Sequence, residues 1–248
     1  MTTDIHLNNA PIVEGLIDIR IKPRDDFKPE ALATLRDLFK ERYPIHKEAF
    51  QVQANFEIRE GEDPPQSIIS QKLGYRLESA DGRYVLQLQH GGFTLSRLKP
   101  YETWETLFEE VKRLWPIYSS VTKPEAITRV ATRYINRLEL PGPRLDFDDY
   151  LAVPPTIPQS LPQIIGEFVT RILVFEEKSG ASIVITQALE PPNPANNAVP
   201  VIIDIDVFKE VAFNIDSDEQ WKLLDEFRHL KNKAFFGSIT DRTLELFK

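Results

Sequence analysis

Cysteine is absent from the 248 residues, which removes disulfides, thiolate zinc sites and cysteine nucleophiles together. Positive charge is in deficit: 30 Lys and Arg stand against 38 Asp and Glu, a formal net charge of −8. Neutralising phosphates needs a basic surface, so a nucleic-acid partner is disfavoured and only a local basic patch stays open. No apolar run reaches the roughly 20 residues that span a bilayer, and the opening MTTDIHLNN lacks both segments of a secretion signal. These absences lead to the expectation of a cytoplasmic protein without a membrane partner. The usual catalytic signatures are missing too: no Gly-rich Walker loop, no G-x-G-x-x-G, no H-E-x-x-H, no G-x-S-x-G. His6, His46, His90 and His229 stand singly. His90–Gly91–Gly92 reads as a hairpin turn rather than an esterase oxyanion loop, because no nucleophile elbow accompanies it.

What is present is an ordinary globular balance, 42% hydrophobic and 27% charged. Residues 12–22 alternate as a half-buried strand, with Val13, Gly15, Ile17, Ile19 and Ile21 facing a core. A helix is expected over Lys28–Tyr43, ended by Pro44, and a strand over Ala49–Ile58. A loop at Glu60–Ser67 precedes three short strands near 73–79, 83–89 and 92–98, turned at Asp81–Gly82 and Gly91–Gly92. Thr103 fits an N-cap for a helix carrying Trp104, Leu107, Phe108, Val111, Leu114 and Trp115, stopped by Pro116.

The same order then recurs. ITRVATRYINRL at Ile127–Leu138 is β-branched and aromatic, so it predicts a strand. A helical piece at Phe147–Leu151, a Pro-rich loop at 153–162 and strands near 167–177, 181–189 and 200–208 follow, with a further loop at Pro191–Pro200. Ser217–Gln220 fits a capping box for a helix through Leu230, and a last helical piece spans Ile239–Phe247. The expected fold is α+β: a duplicated strand–helix–three-or-four-strand–helix unit, 1–122 and 123–248, forming antiparallel sheets with long helices on one face. Trp104 and Trp221, and Arg20 and Arg137, repeat at the same spacing. Two loosely docked domains are the alternative.

Polar residues on strand faces carry the candidate chemistry. Arg129, Arg133 and Arg137 recur at every fourth position, so they share one strand face about 13 Å apart. The other face, Val130, Tyr134 and Leu138, is the more apolar, so the arginines are expected to point away from the core. With Arg97 these residues could bind an anion by bidentate contacts. Asp204 and Asp206 in VIIDIDVF share a face and could hold Mg²⁺. The competing reading is a solvated face whose opposite charges simply pair. Near the end, Phe235 and Phe236, with Ser238 and Asp241, form a candidate contact surface.

Taken together, several pieces give a resemblance: Pro11–Ile12–Val13–Glu14; Phe93–Thr94–Leu95–Ser96–Arg97–Leu98 leading through Pro100–Tyr101 to Trp104; Arg133–Tyr134–Ile135–Asn136–Arg137; Asp204–Ile205–Asp206–Val207–Phe208; and the tail Lys231–Asn232 through Phe236, Ser238, Ile239, Thr240 and Asp241. In these the chain resembles an uncharacterised bacterial family of proteins of about this size, sporadically distributed among genomes. The resemblance implies no activity or cofactor. The family's patchy occurrence is like that of toxin–antitoxin or phage-defence genes. The first expectation is therefore a non-enzymatic binding protein that needs no cofactor, partnered by another protein of its operon or by itself. The alternative is a sensor or Mg²⁺-dependent enzyme for a phosphorylated small molecule or nucleotide.

Overall fold

The alternation of Ile12–Lys22 folds into the strand β1, whose Ile17 and Ile19 are fully buried. A computed structural model describes Leu7 and residues 9–56, 66–142, 145–191 and 198–248, with the side chains of 51–56 and 66–72 left aside. Much of the expected Glu60–Ser67 and Pro191–Pro200 loops therefore lies outside the described residues.

β1 is followed by α1 (Leu32–Phe39), β2 (Ile45–Phe56), β3 (Gln66–Glu78), β4 (Tyr84–Gln89), β5 (Gly92–Leu98) and α2 (Trp104–Thr122). Then come β6 (Ala126–Pro141), β7 (Val169–Glu176), β8 (Ala181–Leu189), β9 (Ala198–Phe213), α3 (Glu219–Ser238) and α4 (Asp241–Glu245). Among the described residues all nine strands form one antiparallel sheet, in the order β2-β3-β4-β5-β1-β6-β9-β8-β7. The seam is β1 against β6, where Ile17 faces Thr132 and Gly15 faces Tyr134. One side of the central strands is apolar: Ile17, Ile19, Phe93, Leu95, Val130, Tyr134, Ile205 and Val207 are all buried. β6 and β9 outrun their local signals because they pair with each other over nearly their whole lengths, whereas β8 is as expected and β7 is shorter.

α2 starts where Thr103 accepts a hydrogen bond from the Thr106 N–H. Pro116 does not stop it, contrary to the expectation. The ring removes one backbone hydrogen bond, but buried Trp115 just before it and buried Tyr118 in the turn beyond it hold the helix to the sheet. Their rings lie 6.0 and 5.5 Å from that of Phe93 on β5, and Tyr118 also donates to the Gln89 carbonyl. Burying aromatic area of that size is worth about 2–3 kcal/mol per ring, enough to offset the lost bond. The helix ends instead at Lys123, which adopts the left-handed conformation and returns its N–H to Ser119. α1 is shorter than expected, ending at Phe39 before Tyr43 and Pro44.

Glu110 of α2 is 5% exposed and ties α1's C-terminal connection to α2. Arg42 reaches it through two 2.8 Å bonds, Arg113 through bonds of 2.7 and 3.0 Å, and the Tyr43 hydroxyl donates at 2.6 Å. Burial alone would raise the Glu110 carboxyl, but these hydrogen bonds from Arg113, Arg42 and Tyr43 overcome it and hold the group at about 2.

α2 and α3 meet through Phe108 and Trp221, ring centroids 5.9 Å apart, and through Arg228 on Glu105 at 2.6 Å. α3 runs to Ser238, past the expected end at Leu230. The expected Ser217–Gln220 capping box does not form: the N-cap is Asp218, with no side-chain cap bond, and Ser217 accepts from the Glu219 N–H instead.

Candidate functional site

Three of the four candidate arginines share a face. Arg129, Arg133 and Arg137 point away from buried Val130, Tyr134 and Leu138. Each is already paired. Arg129 meets Asp18 at 3.0 Å, Asp206 at 3.4 Å and Glu210 at 3.6 Å, with Phe208 beneath its guanidinium at 4.5 Å. Arg133 forks onto both oxygens of Asp204 at 2.8 and 2.5 Å, and Arg137 binds Glu190 at 2.6 Å and also Glu139. Asp18 further accepts from Arg20 and from Thr94. An incoming anion would have to displace these carboxylates, so the face is a salt-bridged surface.

Arg97 does not join them. It lies across from Gly15, on the apolar side of the sheet, with 1% exposure. Its guanidinium stacks 4.7 Å from the Tyr84 ring and gives one hydrogen bond, 2.6 Å, to Glu102. An anion site combining Arg97 with the β6 arginines is therefore corrected: they stand in different layers. Asp204 and Asp206 do share a face, but Asp204 is spent on Arg133, and burial raises Asp206 despite Arg129 and Arg133 nearby. Among the described residues no three His, Cys, Asp or Glu side chains gather as metal ligands do.

The expected contact surface in the tail is also placed differently. Phe235 and Ser238 are buried, Ser238 donating to the Ala234 carbonyl at 2.7 Å, and Phe236 packs against the core with its ring 5.4 Å from Phe235. Helix α3 continues through these residues and turns both rings inward. Only Asp241, in the first turn of α4, is exposed.

The two phenylalanines border a cavity of about 450 Å³ lying over the seam of the sheet. Its floor is Tyr134 and Asn136 of β6 with Ile205 of β9; α3 gives Arg228 and Lys231; Tyr101 and Trp104 come from the entry to α2. Gly15 opens the space: a Cβ there would stand 2.7 Å from the Tyr134 ring and 2.9 Å from that of Tyr101. The two phenol oxygens are 2.7 Å apart and hydrogen-bonded, and burial pushes both phenols well above their usual range. The Asn136 amide donates to the Ile203 carbonyl at 3.0 Å, which fixes the side chain in the floor.

Lys231 is the unusual wall. Its ammonium sits 3.8 Å from the centre of the Tyr134 ring. Burial, and secondarily the Arg228 charge, pull its amine down to about 7, although Glu105 acts the other way. Sequence reasoning missed this residue because the helix was expected to end at Leu230. The signal was there: Gln220, Leu224, Phe227, Lys231, Phe235 and Ser238 fall at helical spacing, and apart from Lys231 all of them are buried. A lysine stands on the core-facing stripe of the helix and is itself only partly buried. Compared with known proteins, the chain matches no protein-family model, no curated protein and no solved structure.

Proposed function

We propose that the chain is a non-enzymatic binding protein that holds a small molecule in the cavity over the β1–β6 seam. One observation carries this: a recess of about 450 Å³ joins apolar walls to a few convergent polar groups, Lys231, Asn136 and the Tyr101–Tyr134 pair. That size and mixture are those of small-ligand sites. Membership of the sporadic bacterial family belongs to the same reading. Each of the five pieces that carry the resemblance gives the cavity a residue: Ile12, Trp104, Tyr134, Ile205 and Lys231. A cytoplasmic setting and an operon-encoded role in defence are part of the proposal. So is a duplicated architecture with the long helices on one face, supported by the strand order running outward from β1 on one side and from β6 on the other. Protein purified natively and extracted with solvent is expected to release a small molecule detectable by mass spectrometry. Ala10→Trp, which pushes an indole into the recess, should release none. Empty extracts from both, with no compound of a metabolite library raising the melting temperature, would remove the reading.

A second reading, self-association, is favoured by β7. This edge strand exposes Val169, Ile172, Leu173, Val174 and Phe175, and among the described residues it pairs with β8 alone. The opposite edge, β2, interrupts its exposed Ile45 and Phe50 with exposed His46, Lys47 and Glu48, and its pairing with β3 shifts register between Ala49 and Phe50. An unprotected apolar edge templates another strand. A second copy fits it: antiparallel pairing centred on Leu173 sets Ile172 opposite Val174 and Arg171 opposite Phe175, with Glu177 of the second copy as its diagonal neighbour. Sedimentation should therefore show a dimer at micromolar concentration and a monomer for Leu173→Lys, whose exposed position leaves the fold intact. A native chain that stays monomeric at 100-fold higher concentration would end the idea.

A further inference from the structure

We propose that the ligand of this cavity is a small carboxylic acid with an apolar, aromatic body, its carboxylate paired with Lys231 and its body against Trp104, Phe235 and Phe236. The inference rests on the cavity being a ligand site and names what it takes.

Charge balance around the lysine points to an acid. Among the described residues Lys231 has no carboxylate within ion-pair distance, while the nearest acidic neighbour on α2, Glu105, is occupied by Arg228 at 2.6 Å. An ammonium held against an aromatic ring in a recess without an anion is costly, and its counter-charge can come with the ligand. A neutral ligand would leave it unpaired. The phenols supply the second contact. In the Tyr101–Tyr134 pair one hydroxyl donates to the other, so one phenol proton remains for a ligand oxygen. The first turn of α2, opening at Thr103 on the cavity wall, adds the positive end of a 19-residue helix dipole. The body of the ligand then meets Trp104, which is stacked on Phe108 at 5.4 Å, and the edge-to-face rings of Phe235 and Phe236. Such rings receive a flat apolar group.

A consequence follows for protons. The groups facing Lys231 are Arg228 on its own helix, Glu105 and Glu102 at the start of α2, and Tyr101 and Tyr134. With its amine near 7 the lysine is mostly neutral at pH 8, and pairing with a carboxylate restores the ammonium. Binding at pH 8 therefore takes up close to one proton. The same lowered amine makes Lys231 a burden on the empty fold, since it favours the unfolded chain whenever the group must be charged.

Indole-3-acetate and its neutral amide, indole-3-acetamide, are the probes, followed by calorimetry in buffers of different ionisation enthalpy. The expected result is a preference for the acid of at least about tenfold, the range for a hydrogen bond to a charged group, with proton uptake. Lys231→Met should abolish both, yet raise the melting temperature of the ligand-free protein. A lysine that merely supports the fold would lower it. Lys231→Gln repeats the test with a polar chain. Equal binding of acid and amide overturns the acid assignment and leaves the cavity as a site. Binding of neither overturns the assignment and counts equally against the cavity.

Discussion

Glu110→Gln is expected to lower the stability of the protein by about 3 kcal/mol at pH 7. Holding a carboxyl at about 2 instead of its ordinary 4.5 is worth that much through proton linkage. Because the group is lowered on folding, its contribution is complete above about pH 4.5 and disappears as the pH falls towards 2. The native protein and the variant should therefore differ most at neutral pH and converge in acid. Urea denaturation at pH 7 and pH 3 measures the decline, the gap at pH 3 being about half or less of that at pH 7. Arg42 and Arg113 are about half exposed and can rehydrate, so the glutamine leaves no buried cation behind. A stability gap that stays constant with pH would mean that the Glu110 charge does not hold α2 to the connection after α1.

Gly15→Ala should be the other severe substitution, although it adds a single methyl group. The new Cβ would lie under 3.0 Å from both the Tyr101 and Tyr134 rings, and neither ring is free to retreat. Each is held by the other's hydroxyl, and Lys231 lies against the Tyr134 ring. Overpacking of this kind costs about 1–3 kcal/mol, and here the upper end is expected. The shift also moves the floor of the cavity, so a bound small molecule should be lost at temperatures where the chain is still folded. Chemical denaturation gives the first quantity, and mass spectrometry of extracts the second. An alanine variant with native stability would show that the rings yield, and would remove Gly15 as the residue that makes the recess.

The parts of this fold legible in the sequence are those whose signal is local. β1 announces itself by alternation, the hairpins by Asp81–Gly82 and Gly91–Gly92, and α2 by Thr103 ahead of a regular apolar stripe. The direction of the β6 arginines was legible too, because Val130, Tyr134 and Leu138 form the more apolar set. Arg97 was misplaced although its neighbours give the answer, since Phe93 and Leu95 put it on the buried side of β5. Pro116 reads as a stop from the backbone rule alone, while the packing of Trp115 and Tyr118 carries the helix through it. The cavity was out of reach for another reason. Its walls come from the start of β1, the entry to α2, β6 and α3, and only the pairing of β1 with β6 brings these together.

That pairing also sets a timetable. β1 leaves the ribosome early and can find β5 within its own half of the chain, but its other edge waits for β6. Until then the first half carries an open strand flank, and the recess has Ile12, Tyr101 and Trp104 without Tyr134 or Lys231 facing them. Contacts this distant along the chain are slow to form. The cavity is thus among the last features to exist on a newly made molecule, and its completed walls certify that both halves have been synthesised and joined.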